Sequence, residues 1–216
     1  MGDPEMRPEM GDLKGGVTAN MDDLMPDRFK GAKVAIAGLG GLGSNIAVSL
    51  ARMGVGLMLL VDFDVVEQGN LNRQWYGVRH LGRLKTEALR EQLEEINPFI
   101  EVKVRAVRVE ENNVVELFEG YEVLCEAFDD QEAKAMLVST VLCRLPGIKV
   151  VAASGMAGCG SSNSIRTERR MRDLYVCGDG ENGTERGIGM MAPRVQICAG
   201  HQANMVLRLL MGLGEA

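Results

Sequence analysis

The run Gly38-Leu39-Gly40-Gly41-Leu42-Gly43 has the spacing G-x-G-x-x-G, a pattern that serves phosphate chemistry. Its glycines permit a tight turn and close backbone approach, and the free amides of a helix starting there favour an anion. Asp62 closes the next apolar run about 20 residues further on, where a carboxylate accepts hydrogen bonds from ribose hydroxyls. These two features do not choose between a nicotinamide dinucleotide and ATP, because both carry that ribose. The segment Asn70-Leu71-Asn72-Arg73-Gln74 tips the choice. Nucleotidyl transfer builds charge on phosphorus and expels pyrophosphate, so it needs cations around a triphosphate. Arg73 can grip two phosphate oxygens as a fork, and Lys85 can supply a mobile point charge. Asp129 follows a further apolar run, a place where a carboxylate beside phosphates commonly holds Mg2+. Its neighbour Asp130 reads as a helix N-cap. Asp64 reads as a turn or cap residue.

Those residues need a scaffold, and the pattern of the chain supplies one. Continuous apolar runs at 33–38, 57–63, 123–128 and 149–153 read as strands buried on both faces. Residues 100–107 alternate apolar and charged, as a strand with one wetter face would. Helical spacing marks Leu42 to Met53, Lys85 to Ile96, a short piece at Asn112 to Phe118, and Gln131 to about Cys143. A last helix is expected from Pro193 to about Met211. Strands alternating with helices imply an α/β, Rossmann-like fold: a mostly parallel sheet, helices on both faces, and a few additional strands after residue 154. Ligands of such sheets sit outside the carboxyl ends of the strands, so the glycine run, Asp62 and Asp129 converge on one rim. Residues 1–30 are expected to form a flexible N-terminal arm, with a short helix near Met21 to Phe29, and 31–216 a single ATP-binding domain. Asp179 to Gly189 reads as a mobile surface loop.

Composition limits the alternatives. A chain of 216 residues with 46% apolar residues can bury one core, and its net charge of −6 argues against nucleic acid as the main partner. Asp62, Arg52 and Arg208 interrupt the best apolar runs, so no membrane span is expected, and the absence of an export signal points to the cytoplasm. The five cysteines (Cys125, Cys143, Cys159, Cys177 and Cys198) are scattered without a C-x-x-C pair. Each reads as a small buried apolar residue rather than a disulfide half or zinc ligand. His80 reads as a loop residue and His201 as a satisfied core histidine.

With these residues assembled, the chain resembles the ubiquitin-activating-like superfamily, and within it the short, single-domain proteins of the ThiF type. The similarity covers about residues 31 to 212. It is carried by GLGGLGSN (Gly38–Asn45), VDFDVVEQGNLNRQ (Val61–Gln74), GRLKTEAL (Gly82–Leu89), INP (Ile96–Pro98), EAFDD (Glu126–Asp130) and the terminal segment Met191–Gly212. The resemblance implies an adenylyltransferase that uses ATP and Mg2+. Gly38, Gly40, Gly41, Leu42, Gly43 and Asp62 would hold ATP. Asn70, Arg73 and Lys85 would contact its phosphates, with Gln74 beside them, and Asp129 would coordinate Mg2+. The implied partner is a small ubiquitin-like sulfur carrier (ThiS-like) whose C-terminal glycine carboxylate attacks the α-phosphate, in thiamine thiazole biosynthesis. A homodimer is implied as well. The chain departs from many relatives in two ways. Leu174 stands where a zinc-ligand partner for Cys177 would be, so no zinc site is expected. The segment Asp179 to Gly189 has no cysteine, so only the adjacent Cys177 is left to form a covalent intermediate. Alternatives are another sulfur carrier of the molybdopterin type, an NAD(P)-dependent oxidoreductase on the same fold, or a carrier-binding module without chemistry.

Overall fold

The computed structural model describes residues 28–181 and 189–216. The expected helix near Met21 to Phe29 lies mostly outside the described residues, as does most of the expected loop from Asp179 to Gly189. The first element among the described residues is α1 (Arg28–Gly31). Phe29 is buried, and its carbonyl accepts the Gly56 N–H at 2.8 Å. Gly56 has to be glycine because a Cβ there would overlap the Lys30 carbonyl.

Among the described residues, seven strands form one sheet in the order β3-β2-β1-β4-β5-β7-β6. They are β1 (Lys33–Ala37), β2 (Leu57–Val61), β3 (Glu101–Arg105), β4 (Val123–Glu126), β5 (Lys149–Ala153), β6 (Arg166–Met171) and β7 (Leu174–Gly178). All neighbours pair in parallel except β6, which runs antiparallel to β7. The helices between them are α2 (Gly41–Arg52), α3 (Lys85–Ile96), α4 (Val114–Phe118) and α5 (Gln131–Arg144), and α6 (Ala192–Leu210) closes the chain. The strands after residue 154 that the sequence led us to expect are β6 and β7.

The continuous apolar strands follow from burial on both faces. Val34 and Ile36 of β1 join a core with Ile46, Leu50, Leu89 and Val206 of α2, α3 and α6. Ala35 and Ala37 turn the other way, onto a second core with Val114, Phe118, Leu137 and Val141 of α4 and α5. The strand period of two therefore sends alternate residues into different layers. The edge strand β3 keeps the expected alternation, with Val102 and Val104 partly buried between exposed charges. The chain runs outward from β1 through β2 to β3, then returns through α4 to pair β4 with the other edge of β1. This reversal between β1 and β4 opens a crevice at their carboxyl ends.

Candidate functional site

A cavity of about 450 Å3 occupies that crevice. Its lining includes Gly38, Gly40, Gly41, Leu42, Asp62, Asn70, Arg73, Gln74, Lys85 and Asp129. Every expected site residue but one is therefore gathered in one place. The exception is Gly43, which lies inside the first turn of α2. A Cβ on Gly43 would overlap the Gly38 carbonyl, so this glycine serves close packing of helix on strand end rather than ligand contact.

The glycine turn is held from both sides. Gly38 has φ of +88°, and a Cβ there would come within 2.7 Å of the Ala127 carbonyl oxygen. Asp62, buried at the end of β2, accepts the Leu39 N–H at 2.6 Å through Oδ2 and the Asp64 N–H at 2.8 Å through Oδ1. Each carboxylate oxygen has further lone pairs, so ribose hydroxyls can still donate to it. The N-terminus of α2 has neither a side-chain cap nor an acidic residue in its first turn. Its positive end is thus open to an anion. Gly40 is informative by contrast with Gly43. A Cβ on Gly40 would meet only Gln74 Nε2, at 3.7 Å. The fold leaves room for a side chain there, while a bound phosphate would not.

The segment that carries Arg73 is stitched onto this turn. Asn45 Nδ2 donates to the carbonyls of Gly41 (2.7 Å) and Arg73 (3.2 Å). Ser44 Oγ donates to Gly40 O and accepts the Trp75 N–H. Tyr76 OH donates to Leu39 O at 2.9 Å, and burial, followed by the charges of Asp62 and Asp64, pushes the phenol up so that it stays neutral. Arg73 Nη1 rests on Gly69 O (3.0 Å) and Asn72 Oδ1 (2.8 Å), partners a phosphate could replace. Asn70 uses its side-chain oxygen to accept the Glu67 N–H, which shapes the turn. The Gln74 Oε1 atom is buried and has no hydrogen-bond partner.

Lys85 opens α3 with its side chain 7% exposed, and its Nζ donates to Asp64 Oδ2 at 2.8 Å. Asp64 is thus more than a turn residue. It lines the cavity and holds the lysine, brought within reach by the bridge between Val65 and Leu84. On the β4 side, Asp130 is the expected N-cap, accepting the Ala133 N–H at 2.7 Å. Asp129 is exposed to the cavity. Among the described residues no group of three or more His, Cys, Asp or Glu is arranged to cage a metal. A hard cation such as Mg2+ needs only one or two carboxylates, with phosphate oxygens and water completing its shell. The donor set fits: Asp62, Asp64 and Asp130 are already hydrogen-bonded within the protein, while Asp129 is exposed and lines the cavity.

Several residues depart from the sequence reading. Cys143 and Cys159 are exposed rather than buried: Cys143 lies in the last turn of α5 and Cys159 in the connection between β5 and β6. Cys125, Cys177 and Cys198 are buried. Burial pushes the Cys177 thiol up to about 11, which makes it a poor nucleophile at neutral pH. His80 is buried in a single 3-10 turn, where Nδ1 accepts the Gly77 N–H at 2.9 Å. Burial lowers its pKa, with Arg79 and Arg83 adding to the effect. His201 is half-buried, with Nδ1 3.1 Å from Thr167 Oγ1. Sequence reasoning missed a buried polar set behind the cavity. Glu126 ends β4 fully buried, Lys134 bonds it at 2.6 Å, and Gln202 reaches both Glu126 O and Val151 O at 3.1 Å. Arg194 and Asp179 form a second buried ion pair at the start of α6. No local signal marks these residues, since their partners are distant in sequence.

Comparison with known proteins places this geometry among relatives. The chain is 40% identical over 104 residues to the probable adenylyltransferase/sulfurtransferase MoeZ of Mycobacterium tuberculosis, covering 48% of this chain and 26% of that protein. It is 32% identical over 194 residues to the adenylyltransferase and sulfurtransferase UBA4 of Saccharomyces cerevisiae, covering 86% of this chain and 43% of that protein. The chain thus spans less than half the length of these curated relatives. Its fold is similar to that of the Escherichia coli tRNA N6-threonylcarbamoyladenosine dehydratase TcdA, in complex with ATP. The TM-score is 0.82 at 23% identity, covering 93% of this chain and 96% of that one. Residues 18–216 match the model of the ThiF family, and the chain therefore belongs to that family.

Proposed function

We propose that the chain adenylates the C-terminal glycine carboxylate of a ubiquitin-like sulfur carrier, with ATP and Mg2+ as co-reactants. A ThiS-like carrier with a Gly-Gly terminus, in thiamine thiazole biosynthesis, is the first choice of substrate. The observation that carries this reading is the single cavity that joins a ribose carboxylate (Asp62), an uncapped helix N-terminus (α2), two cations (Arg73 and Lys85) and an outward carboxylate (Asp129). A nicotinamide site would leave Arg73, Lys85 and Asp129 without work.

The chemistry follows from these positions. Asp62 fixes the ribose, and the glycine turn receives the phosphates against the α2 amides. Asn70, Arg73 and Lys85 surround the triphosphate, with Gln74 beside them, and offset the charge that grows as pyrophosphate leaves. Asp129 holds Mg2+, which neutralises phosphate charge when bound. The carrier carboxylate is ionised at neutral pH, so no general base is required of the protein. Catalysis here is positioning plus charge neutralisation. Its product is a carrier acyl-adenylate, activated for a sulfur donor.

A homodimer in the cytoplasm completes the reading. Support for the dimer comes from Trp75, Val78, Leu81 and Leu84, large apolar residues exposed along one stretch of chain. No described helix is long and apolar enough to cross a membrane. The decisive experiment is ATP–pyrophosphate exchange with a panel of Gly-Gly-ending carriers. Exchange that needs both Mg2+ and one carrier is expected. Absence of exchange with every carrier would sink the proposal, and exchange only with a molybdopterin-type carrier would correct the substrate.

A further inference from the structure

Glu126 is a buried carboxylate that the proposed chemistry does not use. It ends a strand that otherwise reads Val-Leu-Cys, and its cross-strand partner is Ala37, itself level with Val61. An apolar residue would suit this row. Removing a carboxylate from water costs several kcal/mol even after the protein relaxes around it. Something local must require the charge.

Its contacts say what. Glu126 Oε1 accepts the Phe128 N–H at 2.7 Å. Glu126 Oε2 accepts Lys134 Nζ at 2.6 Å, and the same ammonium donates to Ala153 O at 2.8 Å. Gln202 Nε2 donates to Glu126 O from α6. One side chain therefore joins the turn after β4, the body of α5 and the end of β5. Asp129 lies between two points that are pinned: Phe128, held by Glu126, and Asp130, held as the α5 N-cap. Three carboxylates in five residues thus divide the labour. Glu126 and Asp130 are consumed by the protein, and Asp129 faces the cavity. A glutamine at 126 would not substitute, because its amide NH2 would face either the Phe128 N–H or the Lys134 ammonium, donor against donor.

We propose that Glu126, fastened by Lys134, is the positioning residue for Asp129: it sets the strand-end turn that presents the metal-binding carboxylate to the triphosphate. The proposal rests on the reading that Asp129 holds Mg2+. The same turn touches the glycine loop, since the Ala127 carbonyl packs against Gly38. A slack turn would therefore move the metal carboxylate relative to the phosphates it must share the ion with.

The test is calorimetric and needs no turnover. ATP affinity is measured with EDTA and with saturating Mg2+, and the ratio reports how far the metal tightens nucleotide binding. Asp129→Asn is the reference and should abolish that tightening. Glu126→Gln strands the Lys134 ammonium and is expected to destabilise the fold. The pair Glu126→Gln/Lys134→Met keeps an acceptor for Phe128 and removes both charges, so its melting temperature should recover. In both variants the Mg2+-dependent tightening should fall about tenfold, as for loss of a residue that orients a metal ligand, while ATP affinity in EDTA changes less. Lys134→Arg, which keeps the cation, should restore most of the tightening. If the double variant tightens ATP as the parent does while Asp129→Asn does not, the positioning role is wrong and the Asp129 reading stands. If Asp129→Asn also tightens normally, the Asp129 reading fails, and the role of Glu126 with it.

Discussion

Two carboxylate–lysine pairs flank the cavity, and they are built opposite ways round. In Lys85–Asp64 the ammonium is 7% exposed and the carboxylate 48%. In Lys134–Glu126 the ammonium is 24% exposed and the carboxylate fully buried. A half-exposed carboxylate can lose its cation and be rehydrated, so a triphosphate can take Lys85 from Asp64 at little cost. A buried carboxylate has no such recourse, so Lys134 cannot leave. The wall from Gly40 to Lys85 is thus exchangeable, and its cations rest on partners that a ligand can replace. The wall from Glu126 through α6 is locked, with Gln202 and the Arg194–Asp179 pair behind it.

Breaking the locked pair should have the largest effect. Lys134→Ala leaves the Glu126 charge buried and alone, a change that costs about 3–5 kcal/mol. In a chain of 216 residues that corresponds to a fall in melting temperature on the order of 10 °C. The loss should depend on pH. Burial already pushes the Glu126 carboxyl up from its ordinary value, against the opposing charge of Lys134. A carboxyl raised in the folded state contributes stability below its unfolded pKa, and that contribution is lost as pH rises through the folded value. Without Lys134 the rise is larger. The melting deficit should therefore be smallest near the ordinary glutamate range, about pH 4, and grow as pH rises above it. A pH-independent deficit would show that the pair is held by packing rather than by charge.

The exchangeable wall should behave in reverse, losing function and keeping stability. Lys85→Ala removes a cation from the proposed transition state and should lower pyrophosphate exchange by roughly 10²–10³-fold. Because Asp64 can turn to water, stability should change by no more than about 1 kcal/mol. A variant that unfolds instead would place Lys85 with the structural pair. Next in size is Gly40→Ala. An added methyl at Gly40 meets nothing closer than 3.7 Å. ATP affinity should nevertheless fall about tenfold, near 1.4 kcal/mol, as the methyl fills the phosphate approach. Gly43→Ala is the control, because its Cβ overlaps the Gly38 carbonyl and the fold itself should fail.

The same contrast explains what was legible in the sequence. The exchangeable wall is local: glycine spacing, Asp62 at a strand end and Asn70 to Gln74 are close in sequence, and each has the residue type that the proposed ligand would require. The strands and helices were legible for a related reason, since burial on both faces leaves continuous apolar runs. The locked wall was not legible, because Glu126 and Gln202 are 76 positions apart and only the packing of α6 brings them together. Glu126 stands within EAFDD, a string that carries the resemblance, yet nothing in that string marks one acid as buried and the next two as not. Asp64 was read as a turn residue because its partner, Lys85, returns from 21 positions away. The exposed Cys143 and Cys159 teach the converse. Residue type alone predicts burial poorly where a helix or loop shows one side to water.

The smallest expected effect is the most discriminating, because its sign is in question. On the proposed function Asp64 would compete with the triphosphate for Lys85, and breaking their contact would be part of binding. Asp64→Asn removes the competing charge but keeps an oxygen that can accept from the ammonium. A pair with a half-exposed partner is worth about 0.2–1 kcal/mol, so ATP should bind up to roughly fivefold tighter to the variant. Melting temperature should hardly move. Glu126→Gln, the parallel change in the other pair, should act with the opposite sign on Mg2+-dependent binding and should lower the melting temperature. Weaker ATP binding by Asp64→Asn would mean that Asp64 works with the ligand, as a second carboxylate on the metal or as the residue that aims Lys85. The two pairs would then differ in burial but not in kind.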